Sequence, residues 1–155
     1  MTIKRLVDEI VLAKEMDPSI EGITWLGGEP FEQAKALADA SKELRALGFS
    51  VMTFTGFKLS KLTSETNENR DSNLALLGET DLLVDGPFVN SQIDRSRPWL
   101  GSMNQEFVFL SDRYRDVDVS ADVSDGIEIR ISESGDISVN GWAEHPLVLQ
   151  MLSDL

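Results

Sequence analysis

Two glycines, a carboxylate and a proline follow one another at Gly27-Gly28-Glu29-Pro30, and their chemistry suits a small-ligand cradle. Glycine lets a ligand approach the backbone with no Cβ in the way. Proline is favoured at the first helical position, where its missing N–H costs nothing. A helix start presents free N–H groups and a partial positive charge. A zwitterion would fit such a place, its carboxylate near the N–H groups and its ammonium on Glu29. An ordinary strand-to-helix turn uses the same four residues, and on these residues alone the two readings weigh equally. Thr55 and Gly56 close the next apolar stretch, either as ligand contacts or as a strand-ending turn. Asp85 closes the one after, where a carboxylate either orients ligand hydroxyls or caps the Gly86-Pro87 turn.

The elements that must carry these residues alternate. Thr2 caps a helix expected to run to Met16, with Ile3, Leu6, Val7, Ile10, Val11 and the stem of Lys14 on one stripe; Asp17-Pro18 ends it. A short apolar strand over residues 22–26 leads into the glycine pair. Residues 30–47 read as one helix closed by Gly48. A second strand covers 49–55, a helical turn 59–62, a polar loop 64–72 and a short helix 74–77. The third strand spans 81–84 and a fourth 106–110. Strands separated by helices imply parallel pairing with right-handed crossovers, so the expectation is an α/β fold, a partial (β/α) barrel. Such folds place ligands at the C-terminal ends of their strands, where Glu29, Thr55 and Asp85 all fall. Further on, Ile127-Glu128-Ile129-Arg130-Ile131 alternates cleanly, Ser134-Gly135 turns, and Ile137-Ser138-Val139 returns, a C-terminal β-hairpin. A short helix over 147–152 follows. The organisation expected is one α/β domain over 1–114 with the hairpin and helix of 115–155 packed on it.

Composition narrows the partners. The 155 residues carry 14 Lys plus Arg against 27 Asp plus Glu, a net charge of −13. That argues against a nucleic-acid surface, which needs basic clusters, and against anionic membranes. No apolar run approaches the roughly 20 residues needed to span a bilayer, and no export signal is visible at the N-terminus. Cysteine is absent, so no disulfides form and the cytoplasm is the expected compartment. No metal-ligand pair at helical spacing, phosphate loop or nucleophile elbow occurs. His145 has no acid or nucleophile near it in sequence and reads as structural.

Four ordered segments carry a family resemblance. Gly27-Gly28-Glu29-Pro30 resembles the motif with which radical S-adenosylmethionine (SAM) enzymes receive the methionine end of their cofactor. Phe54-Thr55-Gly56-Phe57 is similar to their Tyr-Thr-Gly-Tyr. Thr80-Asp81-Leu82-Leu83-Val84-Asp85-Gly86-Pro87-Phe88 and Pro98-Trp99-Leu100-Gly101-Ser102-Met103-Asn104-Gln105 resemble two segments of the short activases of glycyl-radical enzymes. The resemblance covers residues 2–110 and is nearest to the activases of anaerobic ribonucleotide reductase. It implies a partial barrel of the radical SAM type and cofactor contacts from Gly27, Gly28, Glu29, Pro30, Thr55, Gly56 and Asp85. It also implies a glycyl-radical enzyme as partner, on which a 5′-deoxyadenosyl radical would install the glycyl radical.

The departures are equally definite. That family holds a 4Fe-4S cluster on a Cys-x-x-x-Cys-x-x-Cys loop after its first strand, and this chain has no cysteine. Clusters need thiolates, so the chain is expected to lack both the first strand and the cluster, and to be inactive alone. A cluster is expected only in a full-length form, with SAM as the remaining cofactor. No catalytic or metal-ligating residue is assigned. Leu100 stands where the family has arginine, with Arg97 three residues earlier as a substitute charge. The loop Asp94-Arg95-Ser96-Arg97-Pro98-Trp99 reads as a partner contact or as a solvated loop with Trp99 tucked beneath. Two further readings stand: a natural cysteine-free, non-catalytic protein-interaction module, and an unrelated α/β enzyme that reuses a similar turn. A parallel sheet lacking an edge neighbour exposes backbone groups, so self-association is expected.

Overall fold

The computed structural model describes residues 2–118 together with the strand segments 127–131 and 137–141. Helix α1 (Ile3–Met16) starts where Thr2 accepts a hydrogen bond from the Arg5 amide at 3.3 Å, and it ends at Asp17. Its stripe of Ile3, Leu6, Val7, Ile10 and Val11 packs with Ala40, Leu44 and Phe49 as expected. Strand β1 (Gly22–Trp25) follows. The single helix expected over 30–47 is two elements, a 3-10 turn at Pro30–Gln33 and α2 at Ala34–Ala46. Glu29 is the reason: its carboxylate accepts from the Phe31 amide while its carbonyl accepts from the Glu32 amide at 3.0 Å. That three-residue spacing tightens a first turn.

Strand β2 (Ser50–Phe54) leads to the short α3 (Leu59–Leu62). Helix α4 (Arg70–Gly78) begins inside the segment expected to be loop. Its apolar residues begin only at Leu74, so its polar first turn carries no helical signature. Strands β3 (Leu82–Asp85) and β4 (Glu106–Phe109) complete a four-stranded sheet in the order β1-β2-β3-β4. Ile23 lies opposite Val51 and Thr53 opposite Leu83 in parallel register.

The fourth strand corrects the expectation of parallel pairing. It runs antiparallel to β3, with Asp85 opposite Glu106 and Leu82 opposite Phe109. A parallel strand needs a crossover, usually a helix, to return the chain to the starting end. Here residues 86–105 fold on themselves through an antiparallel bridge between Ile93 and Ser102. The chain therefore re-enters the sheet at the end it left. Strands β5 (Ile127–Ile131) and β6 (Ile137–Gly141) pair antiparallel, Ile131 opposite Ile137, as the expected hairpin. His145 and the helix expected over 147–152 lie outside the described residues.

The core explains how these pieces stay in register. Ala34 and Ala38 on α2 are small enough to let α4 approach, and Phe31, Leu62, Leu76, Leu77 and Leu83 fill the space between. Trp25 joins this cluster to the α1 side and donates from Nε1 to Ser41 Oγ at 2.8 Å. Strand β3 is buried along its whole length. Its foot is Asp81, 2% exposed, whose carboxylate accepts from Arg45 Nη1 (2.7 Å), the Val51 amide (2.9 Å) and Ser111 Oγ (2.6 Å). Burial pushes this carboxyl up, but those three donors outweigh it and hold it below its ordinary value. This anchor ties α2, β2 and the segment after β4 together at the end of the sheet opposite the glycine motif.

Candidate functional site

Because β1, β2 and β3 are parallel, the residues that follow them emerge at one rim. Gly27 and Gly28 turn the chain there with φ of 88° and 57°, a left-handed region that a side chain adopts only at a cost. An added Cβ at either would meet nothing within 4 Å, so the space beside them is open. Among the described residues their N–H groups find no acceptor.

Glu29 joins two strand ends. One carboxylate oxygen accepts from the Phe31 amide (3.1 Å) and from Thr55 Oγ1 (2.8 Å), and the other from the Gly56 amide (2.9 Å). Thr55 is 5% exposed and also accepts from the Phe57 amide at 3.1 Å. The carboxylate has about four lone-pair sites, so three internal donors leave one, on the Gly56 side. Glu29 is thus both the bracket between the β1 and β2 turns and an anion with one site left at the rim.

Those turns form one side of a hollow of about 220 Å³, with Gly27, Gly28, Glu29, Pro30, Thr55 and Gly56 on it. The other side is Gly86, Phe88 and Gln105, with Leu26 at the mouth. The volume falls below the roughly 300–1,000 Å³ of sites that enclose a whole drug-sized ligand. At its mouth Leu26 (71% exposed) and Phe88 (54%) offer apolar surface.

Six of the seven residues singled out from the sequence therefore share one hollow. Asp85 does not line it. Its buried carboxylate accepts from Lys58 Nζ at 3.2 Å and from the Leu59 amide at 2.8 Å, which caps α3 rather than the Gly86-Pro87 turn. Lys58 also donates to the Asn104 carbonyl at 2.8 Å. Leu26, Phe54, Gly86, Phe88 and Gln105 also line the pocket, though the sequence reading assigned none of them to the ligand and read Asn104 and Gln105 as fixing loop backbone. All but Leu26 lie within the four family-like segments.

The 86–105 excursion is braced from within. Asp94, 6% exposed, accepts from the Ser96 hydroxyl (2.7 Å), the Ser96 amide (2.8 Å) and the Arg97 guanidinium. The Ser96 hydroxyl and amide, with Arg97, hold its carboxyl well below the usual carboxylate range. Arg97 also donates from Nη1 to the Gln105 carbonyl and from Nη2 to the Met103 carbonyl, so it braces the loop. Leu100 is buried. Trp99 is not tucked under the loop: it is 61% exposed, at φ 65°, with its ring edge-on to Phe107 at 6.4 Å.

A larger hollow of about 500 Å³ lies over the α3–α4 connection, lined by Ser60, Lys61, Ser64, Thr66 and Asn67 among others. Several of its polar groups are paired locally: Asn67 donates to the Lys61 carbonyl, Ser64 pairs with Thr66, and Lys61 sits over the Phe57 ring at 4.2 Å. It lacks a buried recognition group and is the weaker ligand site despite its size.

Neither the whole sequence nor the described structure offers iron–sulfur ligands. The chain has no cysteine, and among the described residues no three His, Cys, Asp or Glu side chains cluster as a metal site. No helix among them is long and apolar enough to cross a membrane.

Comparison with known proteins adds two findings. A family described as a 4Fe-4S single cluster domain matches residues 2–108. The anaerobic ribonucleoside-triphosphate reductase-activating protein of Vibrio cholerae is 30% identical over 105 residues, which cover 64% of this chain and 63% of that protein. The chain thus spans less than two thirds of that relative's length. No solved structure matches it.

Proposed function

The chain belongs to the activase-like family of 4Fe-4S single-cluster domains, and from that premise we propose that it is the SAM-cradling part of a radical SAM enzyme that activates a glycyl-radical enzyme. One observation carries the reading. Six motif residues from two strand ends form one side of the 220 Å³ hollow, with an anionic site left on Glu29 and two unpaired glycine amides beside it. Gly27 and Gly28 would take the carboxylate of SAM, Glu29 its ammonium, and Thr55 and Gly56 hold Glu29 in place. Bound SAM would supply a sulfonium group. The protein's own part is to orient it.

The residues present do not fit the cluster. Iron–sulfur centres are held by thiolates, and these 155 residues contain none. The chain by itself is therefore proposed to bind SAM without cleaving it. Support for a partial barrel of the radical SAM type comes from the three parallel strands with their ligand residues at one rim. We place residues 1–114 in that domain, with 115–155 appended, and the protein in the cytoplasm. The partner class is a glycyl-radical enzyme, with anaerobic ribonucleotide reductase as the first to try because the Vibrio cholerae relative is an activating protein of that enzyme. The alternative, a cysteine-free interaction module, draws on the missing thiolates and the exposed Trp99.

Titration of the chain with SAM, followed by calorimetry, tests the reading. We expect saturable binding that Glu29→Gln weakens about tenfold or more, the scale of one hydrogen bond to a charged group. No binding by the wild-type chain, or equal binding by a folded Glu29→Gln chain, would refute it.

A further inference from the structure

None of the residues on the second side of the hollow was assigned a ligand contact from the sequence, yet that side is braced by hydrogen bonds as the first is. Gly86, at φ 107°, and Phe88 leave β3 and must be held facing Glu29 across the opening. Gln105 does this with one side chain. Its Oε1 accepts from the Gly101 amide at 2.8 Å and the Ser102 amide at 3.2 Å, while its Nε2 donates to the Gly86 carbonyl at 2.9 Å. Neighbouring bonds run the same way: Asn104 Nδ2 donates to the Pro87 carbonyl at 2.8 Å, and the Val89 amide donates to Ser102 Oγ at 3.1 Å. The Phe88 ring then rests on Gly101, where an added Cβ would come within 3.0 Å of it.

We infer that Gln105 is a positioning residue for the ligand pocket, the counterpart of Glu29 on the opposite side; this rests on the SAM-cradling reading above. The side-chain chemistry is specific. The position needs an acceptor for two N–H groups and a donor for one carbonyl, which an amide combines and an ionised carboxylate does not. Two donors at Oε1 also settle which way the amide faces. Of the residues that brace the excursion internally, Gln105 is the one whose side chain also borders the hollow. Loss of the brace frees Gly86 and Phe88 to drift from the ligand without opening the core, because Leu82, Leu83 and Val84 are secured by the sheet.

The test uses the 15N-labelled full chain, amide hydrogen exchange and SAM titration. Gln105→Ala should speed exchange at Gly101 and Ser102 but leave Leu83 and Val84 protected, and it should weaken SAM about tenfold. Gln105→Glu separates the two halves of the clamp. At neutral pH its carboxylate still accepts both amides, so their protection stays, but it cannot donate to Gly86, so affinity falls as in Gln105→Ala. Acidification that protonates the new carboxyl should restore affinity toward wild type. A purely structural brace would lower stability in both variants and leave affinity alone, and that result overturns the inference. So does unchanged exchange at Gly101 and Ser102 in Gln105→Ala. Failure of the wild-type chain to bind SAM brings down the functional reading and this inference together, and is told apart because it appears before any variant is made.

Discussion

Asp81 lies at the far end of the sheet from the ligand pocket, so it separates the stability of the scaffold from the working of the site. Its carboxylate is 2% exposed and receives Arg45, the Val51 amide and Ser111. In Asp81→Ala the Val51 N–H is left buried without an acceptor, at a cost of about 1–3 kcal/mol. Arg45 keeps Glu79 at 3.4 Å and, with a third of its side chain exposed, regains water; Ser111 can rotate. With the lost charge-assisted bonds, the expected cost is about 3–5 kcal/mol, the range for removing one partner of a buried pair. Asp81→Asn keeps the shape but offers one acceptor oxygen where two were used, and should cost about half as much. The sign of the pH effect follows from the lowered carboxyl. A depressed folded-state value contributes stability that is complete above the unfolded value, about 3.9, and is lost as pH falls through the folded one. The wild type should therefore weaken on acidification below about pH 4 more steeply than Asp81→Asn. Urea unfolding by circular dichroism, with unchanged m-value, measures both effects. SAM affinity of the folded Asp81→Asn chain should match wild type. A cost below about 1 kcal/mol for Asp81→Ala would refute the reasoning, because it would mean that the three donors find other partners at no expense.

Gly22→Ala should unfold the β1 edge, because the new Cβ would lie 1.9 Å from Ser50 Oγ and 2.8 Å from the Ser50 carbonyl oxygen. The second contact is backbone, so Ser50→Gly should rescue the thermal midpoint only in part. Asp94→Ala should loosen the excursion rather than the core, with roughly tenfold faster exchange at the Ser96 amide, the factor that about 1.4 kcal/mol represents. Since the Asp94 carboxyl is held well below the ordinary range, its contribution is complete above the unfolded value and is lost only at strongly acid pH. Wild-type protection at Ser96, measured against the intrinsic exchange rate, should therefore stay unchanged from neutral pH to about pH 4.

The rim was legible in the sequence because local chemistry dictates it. Gly27 and Gly28 serve a left-handed turn, Pro30 starts a helical turn, and apolar runs before Gly27, Thr55 and Asp85 mark strands whose ends carry polar groups. Helix α1 was equally readable, since its cap and its 3.6-residue stripe are both local. The direction of β4 was not, because orientation follows from how residues 86–105 fold on themselves, and the apolar run Phe107-Val108-Phe109 marks a strand in either direction. Pairings decided the roles of side chains in the same way. Asp85 turned to Lys58 and Leu59, and Gln105 reached back to the Gly86 carbonyl. A sequence specifies which groups are available and where each element breaks. Which donor meets which acceptor across 20 or 30 residues is settled only when the sheet brings their elements together, since hydrogen bonds act over a few ångströms of space and not along the chain.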